Sequence, residues 1–252
     1  MRLKGRTAIV TGGSRGIGEQ IVRKFVREGA STVFLDINRE GGESLAKELS
    51  SRGSCHYVHG SVTEEADCRR TVQETEARFG PVTILANNAA RFIFRSYEAT
   101  PQEWRDSWEV NVMGTGLMTR AAVESIKKAG GGAIVNTGSI SSFIAQPATM
   151  TYNSTKAALV EMTRCMALDL APFNIRVNCI CPGYILTPAF TSYVAETGAP
   201  FEEVEKQLSK QTILNRLGKP EEIANCVAFL CSDEASYVTG AYLMADGGLT
   251  AL

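Results

Sequence analysis

The sequence predicts an α/β fold: one doubly wound parallel sheet of about seven strands, with helices on both faces. Short apolar runs and longer stretches of helical periodicity alternate along most of the 252 residues, which is typical of parallel sheets covered by crossover helices. A glycine-rich turn joins the first apolar run to the first helical stretch. Polar residues follow several other runs, at the strand ends where such sheets bind ligands.

The predicted elements can be placed along the chain. Strands are expected near residues 7–12, 32–36, 54–59, 84–89, 133–138, 175–180 and 241–245. Helices are expected near residues 17–29, 40–52, 64–79, 101–128, 150–171 and 220–231. Thr100 precedes a proline and marks a helix start, because proline favours the first helical position. Since no linker, low-complexity segment or repeat interrupts the pattern, residues 1–252 are predicted to form a single domain.

The glycine-rich turn reads TGGSRGIG over residues 11–18. A strand, a glycine loop and a helix in this order are the context of a Rossmann-type dinucleotide-binding fingerprint. Glycine lets the backbone approach a pyrophosphate, and the helix N-terminus offers free N–H groups to the phosphates. Asp36 ends the second strand, 18 residues beyond Gly18, close to the spacing of roughly 20 expected for a ribose-binding acid. Taken in isolation, the loop could also be a plain turn.

Asp36 also indicates which cofactor binds. A carboxylate at this position accepts hydrogen bonds from a ribose 2′-hydroxyl and repels a 2′-phosphate, which favours NAD over NADP. Arg15 indicates the opposite, because a guanidinium in the loop could pair with a phosphate, and Arg39 is near enough in sequence to assist. Since Asp36 stands at the strand end where the ribose should lie, NAD is predicted and NADP is the less favoured alternative.

A second group of residues indicates acid–base chemistry. Tyr152 and Lys156 are four residues apart and share one face of a predicted helix, and Ser139 lies upstream of them. A lysine ammonium beside a phenol lowers the pKa of the tyrosine, which can then exchange a proton nearer neutral pH. The trio therefore predicts proton transfer to or from an alcohol or carbonyl, although an isolated Tyr/Lys pair is more often structural.

Composition argues against several other classes of function. The net charge of −1 gives no electrostatic basis for binding nucleic acid or an anionic membrane. No signal-peptide core or membrane-spanning run is found, so a cytoplasmic location is expected. The seven cysteines are scattered through core-like segments, and the only histidines, His56 and His59, lack the spacing of metal ligands. Reduced thiols and no bound metal are expected.

Taken in order, these motifs resemble those of the short-chain dehydrogenase/reductase family, over essentially the whole chain. Residues 11–18 are similar to the family's TGxxxGIG, residues 87–90 to its NNAG, and residues 182–187 to its PG-x-x-x-T segment. The resemblance implies that the catalytic residues are Asn111, Ser139, Tyr152 and Lys156. It implies cofactor contacts from Gly12, Ser14, Arg15, Gly16, Ile17, Gly18, Asp36, Ser61, Val62, Asn88, Ala89, Tyr152, Lys156, Pro182, Gly183, Ile185 and Thr187.

The resemblance also implies a role for each catalytic residue. Tyr152 exchanges a proton with the substrate hydroxyl, and Ser139 hydrogen-bonds the substrate oxygen. Lys156 lowers the pKa of Tyr152 and holds the hydroxyls of the nicotinamide ribose. Asn111 holds a water that links Lys156 to solvent, with capping or buttressing of its own helix as the alternative.

Two positions depart from the family's pattern. Ala90 replaces the glycine that ends the NNAG motif, so a methyl group stands where the backbone approaches the cofactor. Ser61 replaces an aspartate that contacts the adenine amino group, and its hydroxyl can still accept a hydrogen bond, without charge. Adenine recognition is therefore the least predictable part of the site, whereas the catalytic residues are unaffected.

The predicted activity is NAD-dependent, reversible hydride transfer between the cofactor and a secondary alcohol, polyol, sugar or hydroxy acid and its ketone. The substrate pocket is expected to contain Ile140, Ser141, Phe143, Gln146 and Tyr184, with Phe92, Ile144 and Ile185 as further apolar walls. Arg91 or Arg95 could bind a substrate carboxylate or phosphate. Residues 184–219 interrupt the alternation and are predicted to form a substrate-binding lid, with subunit packing as the alternative.

Two other functions stay open on the sequence. The first is an NADPH-dependent 3-oxoacyl carrier-protein reductase, which Arg15 favours and Asp36 with the near-neutral charge disfavours. The second is a non-catalytic NAD-binding protein, which would be expected to lack one of the catalytic residues. The family resemblance and the apolar helices at 101–128 and 150–171 predict a homo-oligomer, either a dimer or a tetramer.

Overall fold

A computed structural model describes residues 1–51 and 53–252, with only the backbone of Thr197. The strands are β1 (Thr7–Thr11), β2 (Ser31–Asp36), β3 (Cys55–His59), β4 (Ile84–Asn87), β5 (Gly132–Thr137), β6 (Ile175–Pro182) and β7 (Tyr242–Ala245). The α-helices are α1 (Gly16–Arg27), α2 (Arg39–Leu49), α3 (Glu65–Phe79), α4 (Pro101–Trp108), α5 (Gly114–Lys128), α6 (Met150–Leu170), α7 (Pro188–Thr197), α8 (Phe201–Ser209) and α9 (Pro220–Cys231).

All seven strands form one parallel sheet in the order β3-β2-β1-β4-β5-β6-β7. Strand order reverses between β1 and β4, where Ile9 lies between Val33 of β2 and Leu85 of β4. In doubly wound sheets a crevice opens at such a reversal, outside the carboxyl ends of the strands. The fold therefore places a ligand crevice between the end of β1 and the end of β4.

Helices cover both faces of the sheet, which explains why every residue of β1 is buried. On one face, Val10, Phe34 and Ile180 pack with residues of α1, α2 and α9. On the other face, Ile9 and Leu35 pack with residues of α3, α5 and α6. The alternation of side chains along each strand thus supplies two apolar cores, one on each side of the sheet. The predicted seven-stranded, doubly wound fold is confirmed.

The helix predicted over 101–128 is interrupted. Thr100 caps α4 with its side chain and forms a capping box with Glu103, as the sequence indicates. A π-helical segment, Glu109–Met113, then separates α4 from α5 and contains the buried Asn111. Such segments often occur at functional sites because they change the direction in which a side chain points. Residues 109–113 contain no proline or glycine. Gly114 follows directly, but a single glycine does not show a change of helix type, so periodicity could not locate the break.

Other boundaries differ by a few residues. β4 ends at Asn87 instead of 89, because the N–H groups of Asn88 and Ala89 donate to the Thr11 hydroxyl at 3.0 and 3.1 Å. β6 continues to Pro182, since its last residues pair with β7. Helix α2 ends at Leu49, and the predicted end at 52 lies outside the described residues. Among the described residues, no helix combines the length and apolar character needed to cross a membrane.

Candidate active site

The glycine loop is held in a tight turn between β1 and α1. Gly12 has a φ of +67°, and its N–H donates to the Leu35 carbonyl at 2.8 Å. A Cβ at Gly18 would lie 1.9 Å from the Gly12 carbonyl oxygen, so no larger residue fits there. The Asn88 amide donates to the same carbonyl at 3.1 Å and ties the loop to the end of β4. The predicted positions 12, 18 and 88 therefore form one structural unit.

The loop leaves polar groups open for a ligand. The Ser14 hydroxyl is buried and has no hydrogen-bond partner within the described part of the chain. Arg15 is the N-cap of α1, and its side chain makes no capping bond. The first backbone N–H groups of the helix are therefore left without a side-chain acceptor at the N-cap. A buried hydroxyl without a partner is costly unless a ligand satisfies it. The residues present therefore fit the phosphates of a dinucleotide.

Asp36 connects the end of β2 to the glycine loop. Its Oδ2 accepts the backbone N–H of Ser14 and its Oδ1 accepts that of Asn38, each at 2.9 Å. Each carboxylate oxygen keeps a second lone pair for a hydroxyl donor. Arg39 lies nearby in the chain and pairs with Glu43 at 3.5 Å, on the exposed surface of α2. The acid predicted to bind the ribose is therefore fixed in orientation, whereas Arg39 is held only in a weak, exposed ion pair.

A different acid lies beside Ser61. The Ser61 backbone N–H donates to Oδ2 of Asp67 at 2.9 Å, while the Ser61 hydroxyl pairs with that of Thr63 at 2.8 Å. Arg70 donates to Oδ1 of Asp67 at 2.6 Å. Val62 is buried against Gly114 of α5, where a Cβ would lie 2.6 Å from Val62 Cγ2. Sequence reasoning missed Asp67, because it lies six residues beyond the position that the family pattern examines.

Ser139, Tyr152 and Lys156 converge at the end of β5. Ser139 follows the strand and caps the short 3₁₀ turn Ile140–Ser142, accepting the Ser141 N–H at 3.1 Å. Tyr152 and Lys156 lie on α6, with the Lys156 ammonium 5.6 Å from the centroid of the Tyr152 ring. The ammonium donates to the Thr137 carbonyl at 2.6 Å. The lysine is thereby anchored to the last residue of β5.

Burial dominates the electrostatics of this trio. Desolvation raises the pKa of Tyr152, and a hydrogen-bonding contact with the Ser139 side chain lowers it in part. Desolvation lowers the pKa of Lys156 to about 8. The lowering of the Tyr152 pKa that the sequence predicts is therefore not found in this structure. The physical reason is that both groups are buried, and burial disfavours the phenolate as well as the ammonium.

Asn111 is completely buried and buttresses the chain between β4 and α6. Its Oδ1 accepts the Arg91 N–H at 2.7 Å. Its amide donates to the Arg91 carbonyl at 3.0 Å and to the Thr155 hydroxyl at 3.1 Å. Both amide hydrogens are thus used by protein acceptors, while Oδ1 keeps one lone pair beyond its bond from Arg91. The buttressing alternative describes the side chain better.

The segment after β6 returns to the glycine loop. Gly183 donates to the Ala245 carbonyl at 3.1 Å, and a Cβ at this position would lie 2.7 Å from the Asp246 Cα. Thr187 caps α7 by accepting the Phe190 N–H at 3.1 Å. Its Cβ lies 3.7 Å from the position that a Gly16 Cβ would occupy. The predicted cofactor residues after β6 and those of the glycine loop therefore face one crevice.

The segment at residues 184–219, which the sequence predicts to form a lid, is closed at its base. Leu186 donates to the Gly218 carbonyl and Gly218 donates to the Tyr184 carbonyl, each at 2.9 Å, and Ile185 forms a bridge with Gly218. Between these ends, the segment contains helices α7 and α8. Tyr193 of α7 reaches back to Phe94, with the ring centroids 5.1 Å apart. The insertion is therefore a closed loop that contacts the chain after β4.

Aromatic rings surround Tyr152. The Phe92 ring stacks on it at 5.5 Å, and the Phe94 ring meets it edge-on at 5.2 Å. Tyr152 is 9% exposed, whereas Phe92 is 50% exposed. The sequence predicted Phe92 as a pocket wall but missed Phe94 and Tyr193, since nothing in the linear pattern shows that the lid contacts the chain after β4.

The predicted pocket residues occupy different surroundings. The Ser141 hydroxyl donates to Gln146 Oε1 at 2.6 Å, and the Gln146 amide donates to the Tyr184 hydroxyl at 3.3 Å. Ile140 is buried, and Phe143 packs on Tyr242 of β7 with ring centroids 4.6 Å apart. Ser141, Gln146 and Tyr184 are thus brought together, while Phe143 points toward the sheet edge.

Arg91 and Arg95 both form ion pairs with α4. Arg91 contacts Asp106 at 3.1 Å, and Arg95 contacts Glu103 at 2.6 Å. Both pairs are exposed, with Arg91 56% and Arg95 59% accessible, and exposed ion pairs are weak. That either arginine binds an anionic substrate group therefore stays a prediction.

A cavity of about 620 Å³ adjoins the trio without containing it. Its walls come from residues 96–97, 141–146 and 148–150, and from Asn153, Ser154 and Ala157 of α6. The three helix residues are turned away from the face that carries Tyr152 and Lys156, as their spacing requires. The surroundings of Tyr152, and not this cavity, are therefore taken as the catalytic centre.

Comparison with known proteins defines the class. A family model described as Enoyl-(Acyl carrier protein) reductase matches residues 12–250. An NADP-dependent (R)-specific alcohol dehydrogenase of Lentilactobacillus kefiri is 39% identical, covering 99% of this chain and 98% of that protein. A 3-alpha-(or 20-beta)-hydroxysteroid dehydrogenase of Mycobacterium bovis is 40% identical, covering 99% of this chain and 91% of that protein.

A solved structure gives the same assignment. A 7α-hydroxysteroid dehydrogenase complexed with NADH and 7-oxo glycochenodeoxycholic acid superposes with a TM-score of 0.92 at 34% identity, covering 98% of this chain and 95% of that one. The fold and the site define a dinucleotide-dependent oxidoreductase. The chain belongs to the short-chain dehydrogenase/reductase family. Its reaction is a reversible interconversion of an alcohol and a ketone.

Proposed function

We propose that this protein is an NAD-dependent dehydrogenase of secondary alcohols in which Tyr152 is the proton-exchanging residue. The observation that carries the catalytic part is the convergence of Ser139, Tyr152 and Lys156 at the end of β5. The observation that carries the cofactor part is the orientation of the Asp36 carboxylate beside the glycine loop. When bound, the nicotinamide cofactor supplies hydride acceptance from, or donation to, the alcohol carbon.

The cofactor is held in the crevice between β1 and β4. Gly12, Gly16 and Gly18 allow close approach of the backbone, and the buried Ser14 hydroxyl lies ready to donate a hydrogen bond to an acceptor such as a phosphate oxygen. Asp36 accepts hydrogen bonds from the adenine-side ribose and repels a 2′-phosphate. The remaining contacts come from Arg15, Ile17, Ser61, Val62, Asn88, Ala89, Tyr152, Lys156, Pro182, Gly183, Ile185 and Thr187.

Tyr152 handles the proton of the substrate. In alcohol oxidation its oxygen accepts the hydroxyl proton, and in ketone reduction it returns that proton to the carbonyl oxygen. Ser139 contacts Tyr152 and hydrogen-bonds the same substrate oxygen, which stabilises charge that develops there. Because burial disfavours the Tyr152 phenolate, Tyr152 can accept the hydroxyl proton only as it passes on its own phenol proton. We assign Lys156, whose pKa burial lowers to about 8, as the base that takes this proton.

Lys156 and Asn111 support this exchange. Lys156 is anchored on the Thr137 carbonyl and faces the Tyr152 ring, so its charge stabilises a phenolate when Tyr152 gives up its proton. We propose that Lys156 also hydrogen-bonds the hydroxyls of the nicotinamide ribose. Asn111 has a positioning role. It hydrogen-bonds Arg91 and Thr155, and so holds the chain after β4 against α6.

Residues 184–219 act as the lid over this centre. Support comes from its closed base at residues 184–186 and Gly218, and from the contact between Tyr193 and Phe94 above Tyr152. Closure of such a segment expels water from the reacting atoms and strengthens each electrostatic contact there. The lid also carries Tyr184, whose hydroxyl accepts a hydrogen bond from Gln146 in the pocket.

The alternative is an NADPH-dependent reductase, such as a 3-oxoacyl carrier-protein reductase. Two observations favour it. Arg15 is exposed at the N-cap of α1, where a guanidinium could meet a 2′-phosphate. The kefiri relative is NADP-dependent, although the related hydroxysteroid dehydrogenase structure contains NADH. Asp36 weighs more here, because it is hydrogen-bonded in place and Arg15 extends from the surface.

Separate titrations with NADH and NADPH test the cofactor assignment. Calorimetry on the purified protein should give a dissociation constant for NADH at least roughly tenfold lower than for NADPH. Arg15→Ala removes one cofactor contact, so it should weaken NADH and NADPH binding by a similar factor and keep the preference for NADH. A lower dissociation constant for NADPH, abolished by Arg15→Ala, would establish the alternative and direct the substrate search to ketone and acyl-thioester reduction.

We also propose a cytoplasmic homo-oligomer, a dimer or a tetramer. Support comes from large apolar side chains on the outer surface of the helices near the site: Met113 is 58% exposed and Leu168 of α6 is 78% exposed. A second copy of the chain would bury such groups. Sedimentation or light scattering should give a mass of two or four chains, and a monomer would refute this part of the proposal.

A further inference from the structure

A closed ring of hydrogen bonds connects Ser139 with Lys156. The Lys156 ammonium donates to the Thr137 carbonyl at 2.6 Å, at the end of β5. Ser139 follows two residues later, and its carbonyl accepts the Ser142 N–H at 3.0 Å. The Ser142 hydroxyl then donates to the Lys156 backbone carbonyl at 2.8 Å, which returns to α6. Lys156 is therefore held at both its ammonium and its main chain. These contacts are hereafter called the hydrogen-bonded ring.

Ser142 supplies the bond that closes the hydrogen-bonded ring. It is the last residue of the 3₁₀ turn Ile140–Ser142, which begins directly after Ser139. In the described part of the chain, its hydroxyl makes the one hydrogen bond between this turn and α6. The other serine of the turn, Ser141, donates to Gln146 instead. Loss of the Ser142 hydroxyl would therefore open the ring between the turn and the catalytic helix.

The two sides of Ser139 are supported differently. Toward β6, a Cβ at Gly138 would lie 2.8 Å from Cys179 Sγ and 3.0 Å from Cys181 Sγ, so the end of β5 packs tightly there. On the other side, Ser142 borders the cavity of about 620 Å³, which leaves space for the turn to move. The position of the turn on that side therefore depends on the Ser142 hydrogen bond.

The hydrogen-bonded ring also encloses Lys156, which is 2% exposed. Burial lowers the pKa of its ammonium to about 8. The titratable groups that face it are Tyr152 of α6 and the thiols of Cys179 and Cys181 on β6. Opening the ring would admit water beside the ammonium, and hydration favours the charged form. The pKa of Lys156 would then rise toward its ordinary value of 10.5.

Resting on the proposed dehydrogenase function, we infer that Ser142 is a positioning residue, whose hydroxyl holds the turn after Ser139 against α6 and so fixes Ser139 relative to Lys156. Ser142 takes no part in proton transfer itself. Its effect on rate arises because proton transfer requires the reacting groups to be aligned, and misplacement by about 1 Å can cost about a hundredfold.

Substitution of Ser142 tests this role in the oxidation of cyclohexanol with NAD. In Ser142→Ala, kcat should fall about three- to tenfold, while KM for cyclohexanol and the NADH dissociation constant stay within about threefold of wild type. Lys156 accepts a proton only when it is neutral, so kcat for oxidation rises with pH through its pKa. The midpoint of that rise should move upward by roughly half a pH unit or more in Ser142→Ala.

Ser142→Thr should restore the wild-type kcat and midpoint. Threonine keeps the hydroxyl, and the cavity that Ser142 borders has space for the added methyl group. A merely structural loss in Ser142→Ala would lower the yield of folded protein without moving the pH midpoint. A fall in kcat with an unmoved midpoint, or a Ser142→Thr protein that behaves like Ser142→Ala, would therefore overturn the positioning role.

Ser154→Ala is the matched control. Ser154 is half-buried like Ser142 and borders the same cavity, but its hydroxyl donates to the Thr151 carbonyl at 3.0 Å within α6. The substitution removes a bond of the same kind and leaves the hydrogen-bonded ring closed. Both kcat and the pH midpoint should match wild type. Equal behaviour of the two alanine variants would overturn the inference.

The wild type separates this inference from the proposed function. Cyclohexanol oxidation by wild type, with Ser142→Ala unchanged in kcat and midpoint, would overturn the role of Ser142 and leave the dehydrogenase assignment intact. A wild type that oxidises neither cyclohexanol nor any other secondary alcohol of a broad panel, while still binding NADH, would overturn the dehydrogenase assignment and this inference together.

Discussion

The carboxylate of Asp36 accepts a hydrogen bond from the Ser14 backbone N–H at 2.9 Å, which joins the end of β2 to the glycine loop. This bond fixes the orientation of the acid before a cofactor arrives. The Ser14 hydroxyl takes no part in this bond and has no partner in the described residues. The pairing connects two sequence motifs 22 residues apart into one feature of the crevice.

Replacing Asp36 should change cofactor preference. Asp36→Asn keeps the size and one acceptor oxygen of the side chain but removes the charge that repels a 2′-phosphate. The ratio of NADPH to NADH affinity should rise by roughly tenfold or more, since two such charges a few ångströms apart repel by a few kcal/mol near a surface. Calorimetric titrations give the ratio. Asp169→Asn, at an exposed position on α6, is the control, and an unchanged ratio in Asp36→Asn would contradict the assigned role.

Substitution of Gly18 should destroy cofactor binding through sterics. An alanine methyl would lie 1.9 Å from the Gly12 carbonyl and 2.5 Å from the Asn88 amide, so the loop has to open. We expect loss of NADH binding by about a hundredfold or more and a fall of about 1–3 kcal/mol in the free energy of unfolding.

Gly116→Ala is the matched control for Gly18→Ala. Gly116 lies inside α5, and the nearest atom to an added methyl is the Met162 Cε at 3.9 Å. Alanine should therefore stabilise the helix by about 0.5–1 kcal/mol and leave NADH binding intact. Titration and urea unfolding measure both quantities. Similar behaviour of the two alanine variants would show that Gly18 is not under steric constraint.

Removal of Asn111 should weaken the support of the catalytic helix. In Asn111→Ala the Arg91 N–H and carbonyl and the Thr155 hydroxyl lose their partner. The free energy of unfolding should fall by about 1–3 kcal/mol, because these buried polar groups are left unsatisfied. Urea unfolding measures the loss, with Gln102→Ala at an exposed amide of α4 as the control. Equal stabilities of the two variants would contradict the buttressing role.

Titration of the Lys156 ammonium should make the free energy of unfolding depend on pH. Burial lowers its pKa in the folded protein to about 8, from an ordinary value of 10.5. Between these values the unfolded chain binds more protons, so stability attributable to this residue rises with pH through the window. Without cofactor, the wild type should therefore gain stability relative to Lys156→Met as the pH rises from 8 to 10.5.

Comparing wild type with Lys156→Met isolates the contribution of Lys156 to the pH dependence of stability. Thiols and phenols elsewhere titrate in the same range, but both proteins share them. The unpaired Thr137 carbonyl in the variant adds a difference that is constant with pH. Urea unfolding at several pH values gives the difference in stability. A difference that stays flat, or that falls with rising pH, would show that the folded Lys156 pKa is not lowered.

The fold could be predicted from sequence because its signals are local and repeated. Most strands are apolar runs, and the glycine loop and Asp36 stand in fixed order around α1. Family motifs supplied the catalytic trio, which the structure brings together at the end of β5. Features that depend on local sequence patterns, such as the strands and the tight turn at Gly12 and Gly18, could therefore be predicted.

Long-range contacts account for what the sequence did not show. Phe94 meets Tyr193 across about a hundred residues of chain, and Asp67 reaches Ser61 only because α3 folds back on the strand end. The π-helical segment that carries Asn111 contains no proline or glycine, and Gly114 directly after it does not by itself show a change of helix type. The sequence predicted a lowered pKa for Tyr152, whereas burial raises it. Desolvation depends on the neighbours packed around the ring and not on the spacing of the motif.

Turnover by Tyr152→Phe tests the central claim most directly. The variant keeps the ring and its contacts with Phe92 and Phe94, and removes only the proton-exchanging hydroxyl. Our account predicts that NAD-dependent oxidation of a secondary alcohol falls by about a hundred- to ten-thousandfold, while NADH affinity stays within roughly threefold of wild type. Tyr237→Phe, fully exposed and distant in sequence, should match wild type in both. A Tyr152→Phe protein that retains more than about a tenth of wild-type kcat would contradict the assignment of Tyr152 as the catalytic acid–base.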